Sequence, residues 1–136
     1  MDFIKKINIA FVCVHNSCRS QMAEAWANEL GSDMFNVYSA GTEDYHEIKP
    51  LAVEVMKEVG ISMDKQYPKT LDKIPPADFL ITMGCGAQCP WVPSRLREDW
   101  GLDDPSGGPI EDFRVTRDLI KNKVLKLIQR VKNNEI

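Results

Sequence analysis

The sequence contains no apolar run approaching the roughly 20 residues that a membrane-spanning helix requires. It has no internal repeat, no low-complexity tract and no linker-like stretch. Glycine and proline are modest at eight each, with 43% hydrophobic and 27% charged residues, so disorder, collagen and coiled coil are excluded. Cysteine is sparse as well, at four in 136 residues. A chain this long buries roughly 68–70% of its unfolded surface and folds without disulfides or a structural metal. The opening Met1-Asp2-Phe3-Ile4-Lys5-Lys6 precedes apolar residues, as a signal peptide would. No small-residue cleavage site follows, and His15-Asn16-Ser17 interrupts the run. The expectation is one cytosolic domain, residues 1–136, beginning with a strand.

The net charge is −3, yet the segment from Arg114 to Lys132 carries seven basic residues against one acidic. A basic helix can bind nucleic acid or an acidic membrane. Here Val115, Leu119, Val124, Leu127, Ile128 and Val131 recur at helical spacing, which predicts a helix docked on a core with its cations in water. Neither nucleic acid nor membrane is expected as a partner.

Strands and helices alternate along the rest. Ile7 to Cys13 (INIAFVC) reads as a buried strand, and Ser20 to Leu30 as a helix with Met22, Trp26 and Leu30 four apart and Gly31 ending it. Phe35 to Ala40 is a second strand. Pro50 to Val59 is a second helix, with proline in its first turn and Gly60 beyond its end. Ala77 to Met83 is a third strand, and Asp99 to Leu102 a weaker fourth, followed by the C-terminal helix. Between Ser62 and Pro76 the pattern fails. Such alternation predicts an α/β fold with a parallel sheet and helices on both faces. Ligands of these sheets bind at the carboxyl ends of the strands, which points to Cys13.

From there the chain runs Cys13-Val14-His15-Asn16-Ser17-Cys18-Arg19-Ser20. A cysteine ends a strand, a polar loop follows, and an arginine opens a helix. A loop closing on a helix N-terminus turns backbone N–H groups inward, so Val14, His15, Asn16, Ser17, Cys18, Arg19 and Ser20 are candidate oxyanion-binding residues. Arg19 can clamp a tetrahedral oxyanion through two hydrogen bonds. The same field favours thiolate over thiol at Cys13, and Ser20 can donate its hydroxyl to that sulfur. The competing reading makes Cys13 a small buried hydrophobe and Arg19 a surface cation; the strand before and helix after favour the oxyanion site.

These residues resemble the low-molecular-weight tyrosine phosphatase fold and, within it, the thioredoxin-coupled arsenate reductases. The likeness is carried by Cys13 to Ala25, Ser39-Ala40-Gly41-Thr42, Pro50-Leu51-Ala52, Met56 to Gly60, Cys85, Cys89-Pro90, and Trp100 to Pro105. It implies a four-stranded parallel sheet, catalysis at the loop after the first strand, and a carboxylic acid from an Asp-Pro element, here Asp104. A carboxyl beside the cradle can protonate the oxygen expelled when a thiolate attacks. Without the resemblance, Asp103-Asp104-Pro105-Ser106-Gly107 reads as a turn. His15 stands where tyrosine phosphatases of this fold usually carry glycine, and the resemblance associates the histidine form with reductases.

Cys85 and Cys89 separate the two activities. A phosphatase needs one nucleophile, whereas reducing arsenate needs two electrons, which a dithiol supplies by becoming a disulfide. The resemblance implies that Cys13 attacks arsenate, Cys85 attacks Cys13 and releases arsenite, and Cys89 takes over the bond. Thioredoxin or a similar thiol then reduces Cys85–Cys89. The three-residue interval Gly86-Ala87-Gln88 is short. On an intact helix the pair would stand about 5–6 Å apart at Cβ, beyond the roughly 3.5–4.5 Å of a disulfide, so a loop or unwinding is required there. A zinc site from Cys13, Cys18, Cys85 and Cys89 has the wrong intervals for the usual knuckle; Cys18 is read as a packing residue.

Some reductases of this fold bind potassium near the catalytic loop. Asn16, Glu24 and Ser39 match three ligand positions, but Lys69 falls where a carboxylate would be needed, so neither a metal nor any other cofactor is expected. The function expected is a monomeric arsenate reductase acting through Cys13, Arg19, Asp104, Cys85 and Cys89. The alternatives are a tyrosine or small-molecule phosphatase, which Ser106-Gly107-Gly108 after the Asp-Pro element disfavours, and an oxyanion-binding redox sensor, which would not need Asp104.

Overall fold

The computed structural model describes residues 6–84 and 94–136. Strands β1 (Ile7–Cys13), β2 (Phe35–Gly41), β3 (Phe79–Thr82) and β4 (Leu96–Asp99) form a parallel sheet in the order β2-β1-β3-β4. Three helices accompany it: α1 (Arg19–Gly31), α2 (Pro50–Glu58) and α3 (Ile110–Lys132). The central position of β1, paired on both edges, explains its uninterrupted apolar run, because both of its faces are buried. Ile9, Phe11 and Cys13 join the larger core with residues of all three helices. Ala10 and Val12 join Leu80 on the opposite face.

That second face is covered more lightly than an alternating βα pattern implies. Among the described residues, Tyr38, Leu71, Ile74 and Ala77 pack there, from β2, the short 3-10 turn Leu71–Lys73 and the chain after it. Pro68, Pro75 and Pro76 interrupt this stretch and keep it from winding a longer helix.

Three local expectations shift. The fourth strand lies at Leu96–Asp99, three residues before its predicted place. Asp99 closes it, accepting from Thr82 Oγ1 (2.6 Å) and Gly84 N (2.9 Å) through Oδ1 and from Gly101 N (3.1 Å) through Oδ2. On α3 the buried stripe is Phe113, Thr116, Ile120, Val124, Leu127 and Ile128. Val115 and Leu119 are instead 58% and 46% exposed, because at 3.6 residues per turn both lie on the side of the helix away from Val124. Gly31 is the last residue inside α1, not a cap beyond it: a Cβ there would lie 3.0 Å from the Phe35 ring and 3.2 Å from Ile128.

The helix layer is fastened by Glu58, whose carboxylate accepts from Arg114 Nη2 (2.6 Å) and Arg117 Nη1 (2.9 Å), tying α2 to α3. Trp26 Nε1 donates to the Arg117 carbonyl (3.1 Å), tying α1 to the same turn. The register pairs Cys13 with Gly41 and Val12 with Thr82, so the ends of β1, β2 and β3 reach one edge together.

Candidate active site

At that edge β1 ends with Cys13, 4% exposed, and α1 begins six residues later with Arg19. The intervening carbonyls are held from outside. Thr42 N donates to Cys13 O (3.1 Å), Glu43 N to Val14 O (2.9 Å) and Lys49 N to Ser17 O (2.7 Å). Gln21 Nε2 donates to Asn16 O (2.9 Å). In a trans peptide the C=O and the next N–H point oppositely. Turning these four carbonyls outward therefore aims the amides of Val14, His15, Ser17 and Cys18 inward. Among the described residues no side chain caps α1 at Cys18, and the first N–H groups of a helix, which have no intrahelical partner, can meet an anion. Asn16 adopts φ 54, the left-handed conformation that bends the loop. Gly41 is needed alongside: a Cβ there would stand 2.7 Å from Val14 O and 2.9 Å from the carbonyl carbon of His15.

Cys13, Val14, His15, Ser17, Cys18, Arg19 and Asp104 line a cleft of 250 Å³. The larger cleft of 510 Å³ beside α1, lined by Glu24, Asn28 and Asp64 among others, holds no thiol. Ser20 Oγ lies 2.8 Å from Cys13 Sγ. Arg19 Nη1 donates to Met83 O (2.7 Å) and Leu102 O (2.6 Å), fixing the guanidinium and, among the described residues, leaving Nε and Nη2 for an anion. Its Nη2 is 3.9 Å from Asp104 Oδ2.

Asp104 is half-exposed and accepts from Ser106 N (3.0 Å), so the turn geometry and the site geometry belong to the same residue. Burial pushes its carboxyl up, but the Ser106 amide and hydroxyl, with Arg19 and Lys49, outweigh burial and hold it below the usual carboxylate range. Burial, aided by the negative charges at Asp104 and Cys13, pushes the Cys18 thiol up to about 12. Cys18 is buried and packs within the main core. His15 stacks on Tyr45 with ring centroids 4.7 Å apart and faces Glu43 across 3.6 Å, placing its side chain on the rim.

The sequence-predicted Cys13, Val14, His15, Ser17, Cys18, Arg19 and Asp104 all reach this cleft, with Asn16 and Ser20 buried behind it. Cys85 and Cys89 lie outside the described residues. Gly84, the last described residue before Cys85, has φ 108, and a Cβ on it would lie 2.9 Å from Leu102 O and 3.2 Å from Arg19 Nη1. Its amide is the one Asp99 holds, so Asp99 and Arg19 both fix the point where the Cys85 segment departs. Sequence reasoning missed Asp99 and Gln21, because the contacts that tie Asp99 to Thr82 and Gly84, and Gln21 to Tyr67, are distant in the chain and leave no local signal.

The donor set does not suit the potassium ion implied by the resemblance. Glu24 Oε1 accepts from Ser39 Oγ (2.5 Å), but Lys69 Nζ stands 3.9 Å from the same oxygen. Burial raises the Glu24 carboxyl against the pull of Ser39 and Lys69, and burial lowers the Lys69 ammonium against the pull of Glu24.

Fold and loop define a class: single-domain α/β proteins that hold a cysteine and an arginine on one anion-cradling turn after the first strand. The chain belongs to the low molecular weight phosphotyrosine protein phosphatase family, which it matches over residues 8–136. It is 44% identical over 121 residues to an arsenate reductase of Staphylococcus aureus strain Newman, spanning 85% of this chain and 92% of that protein. Among solved structures, an arsenate reductase in the phosphate-binding state superposes with TM-score 0.84 at 39% identity, covering 93% of this chain and 98% of that one. The thioredoxin-dependent arsenate reductase of Corynebacterium glutamicum superposes with TM-score 0.77 at 29% identity, covering 95% of this chain and 63% of that one.

Proposed function

We propose that this protein is a cytosolic, monomeric arsenate reductase that cycles through a Cys13, Cys85 and Cys89 relay. The observation that carries the reading is the convergence of Cys13 Sγ, the inward amides and Arg19 on one small cleft, in a chain whose sequence also carries Cys85 and Cys89. The likeness to relatives named arsenate reductase supports the choice of oxyanion.

Arsenate enters with its oxygens on the loop amides and on Arg19 Nε and Nη2. Its negative charge beside Asp104 raises that carboxyl's affinity for a proton. The proton is then in place when the Cys13 thiolate attacks arsenic and an oxygen leaves as water. The Cys85 thiolate next attacks Cys13 sulfur. A Cys13–Cys85 disulfide forms, the S–As bonding pair stays on arsenic, and As(V) departs as arsenite, As(III). Cys89 attacks Cys85 and frees Cys13 as thiolate. The remaining Cys85–Cys89 disulfide is reduced by thioredoxin or a similar dithiol, which the cytosol supplies.

A second reading, phosphate-ester hydrolysis, has a specific basis: Cys13, Arg19 and Asp104 alone would suffice for it. Presenting reduced protein with arsenate, and separately with an aryl phosphate, discriminates the two. The reductase reading expects two thiols lost for each arsenite formed. Aryl-phosphate turnover with no arsenite and no thiol loss would make the protein a phosphatase. Oxidised thiols without arsenite would leave the redox-sensor reading.

A further inference from the structure

We propose that Lys69 is a tethered counter-cation of the catalytic loop, a positioning residue that makes the loop's geometry independent of potassium. Its side chain and that of Glu24 are each 13% exposed, so the pair sits beneath the surface. The ammonium donates to Tyr67 O (2.9 Å), lies 4.6 Å from the centroid of the Tyr67 ring and stands 3.9 Å from Glu24 Oε1. A carbonyl, a carboxylate and an aromatic face are surroundings suited to a monovalent cation, and an ammonium is one.

The backbone of the same residue touches the loop. Lys69 N donates to Asn16 Oδ1 (3.1 Å), and Lys69 O accepts from Gly41 N (2.7 Å). Glu24 lies one turn along α1 from Ser20, and its partner Ser39 lies on β2 opposite Phe11 of β1. Lys69 therefore joins, in one residue, a charge contact to the helix behind the nucleophile and a backbone contact to the residue that bends the loop. Without the ammonium, Glu24 is a buried carboxylate lacking its cation, and the 67–70 segment that holds Asn16 loses its anchor. A covalently attached cation is always present, whereas a dissolved ion occupies such a place only in proportion to its concentration.

The proposal rests on the arsenate reductase reading only in its choice of one assay. The measurements are the thermal midpoint and kcat/KM for arsenate and for an aryl phosphate, in potassium chloride and in sodium chloride at equal ionic strength. Midpoint and aryl-phosphate kinetics report on Lys69 even in a protein that does not reduce arsenate. Wild type is expected to behave identically in the two salts. Lys69→Met is expected to lose on the order of 5 °C in sodium chloride and to lose kcat/KM by about ten-fold, the loss of one charge-assisted contact. Potassium, but not sodium, should restore both. The double variant Glu24→Gln/Lys69→Met, with no charge left to balance, should recover the midpoint and ignore potassium. A wild-type midpoint raised by potassium over sodium would overturn the proposal, as would a Lys69→Met variant with unchanged kcat/KM or a double variant still responsive to potassium. If Lys69→Met does not fold, the wild-type comparison of the two salts decides alone.

Discussion

Ser20 Oγ lies 2.8 Å from Cys13 Sγ, and the polarity of that hydrogen bond is set from outside the pair. Lys69 N is a backbone donor and reaches Asn16 Oδ1 (3.1 Å), which fixes the amide's orientation. Asn16 Nδ2 then faces Ser20 and donates to its Oγ (2.8 Å). With one lone pair of that oxygen engaged, the hydroxyl hydrogen is directed at the sulfur. The nucleophile thus receives a hydrogen bond whose direction originates in a residue 56 positions away in the chain.

Ser20→Ala should slow alkylation of Cys13 by iodoacetamide at neutral pH by about ten-fold, since a hydrogen bond to a charged partner contributes about 1.5–3 kcal/mol. The circular dichroism spectrum should be unchanged. An unaltered alkylation rate would show that the hydroxyl does nothing for the thiolate.

Asp104→Asn keeps the shape of the side chain and its Ser106 contact but removes the transferable proton. Loss of one general acid typically lowers the rate roughly 100- to 10,000-fold. The loss should be smaller for aryl phosphates whose phenol is already acidic. A rate unchanged across all leaving groups would reduce Asp104 to its turn.

Gly41→Ala tests the close approach of β2 to the loop. Its Cβ would meet backbone atoms of Val14 and His15 at 2.7 and 2.9 Å, and neither can swing aside. A destabilisation of about 1–3 kcal/mol is expected from such overpacking, read by urea denaturation. Oxyanion affinity should fall with it, because the loop must shift to make room.

How far the sequence reached is visible in the same residues. The Cys13–Arg19 loop was legible because its parts are contiguous and because a strand, a polar loop and a helix start are each local patterns. Asp104 was legible only through family likeness, since alone it reads as a turn residue, and it is also one. On α3, Val115 and Leu119 do not share the face of Val124: at 3.6 residues per turn they lie on the far side of the helix, while Phe113 and Ile120 lie on the Val124 side, so the apolar residues alone overstate the stripe. The fourth strand was displaced because its end is set by Asp99 reaching Thr82 and Gly84, contacts that no local window contains.

Glu58 gives a pH-dependent expectation. The hydrogen bond from Arg114, joined by that residue's charge and by Arg117, outweighs burial and holds its carboxyl below the ordinary 4.5. A depressed carboxylate contributes stability above its unfolded pKa and loses it as pH falls through the folded one. Wild type should therefore be more stable than Glu58→Gln near neutrality, with the gap closing as pH drops below 4.5. Thermal melts of both proteins across that range check it, and a gap constant with pH would remove the ion pairs from the account.

The relay itself is tested most directly by Cys89→Ser. Given arsenate and no external thiol, the reduced variant should release one arsenite per protein, lose two thiols and stop as a Cys13–Cys85 disulfide, identified by peptide mapping and mass spectrometry. Continued turnover of Cys89→Ser at the wild-type rate when thioredoxin is added, or a stalled protein without the Cys13–Cys85 bond, would contradict the three-cysteine sequence and assign the second thiol to an external partner.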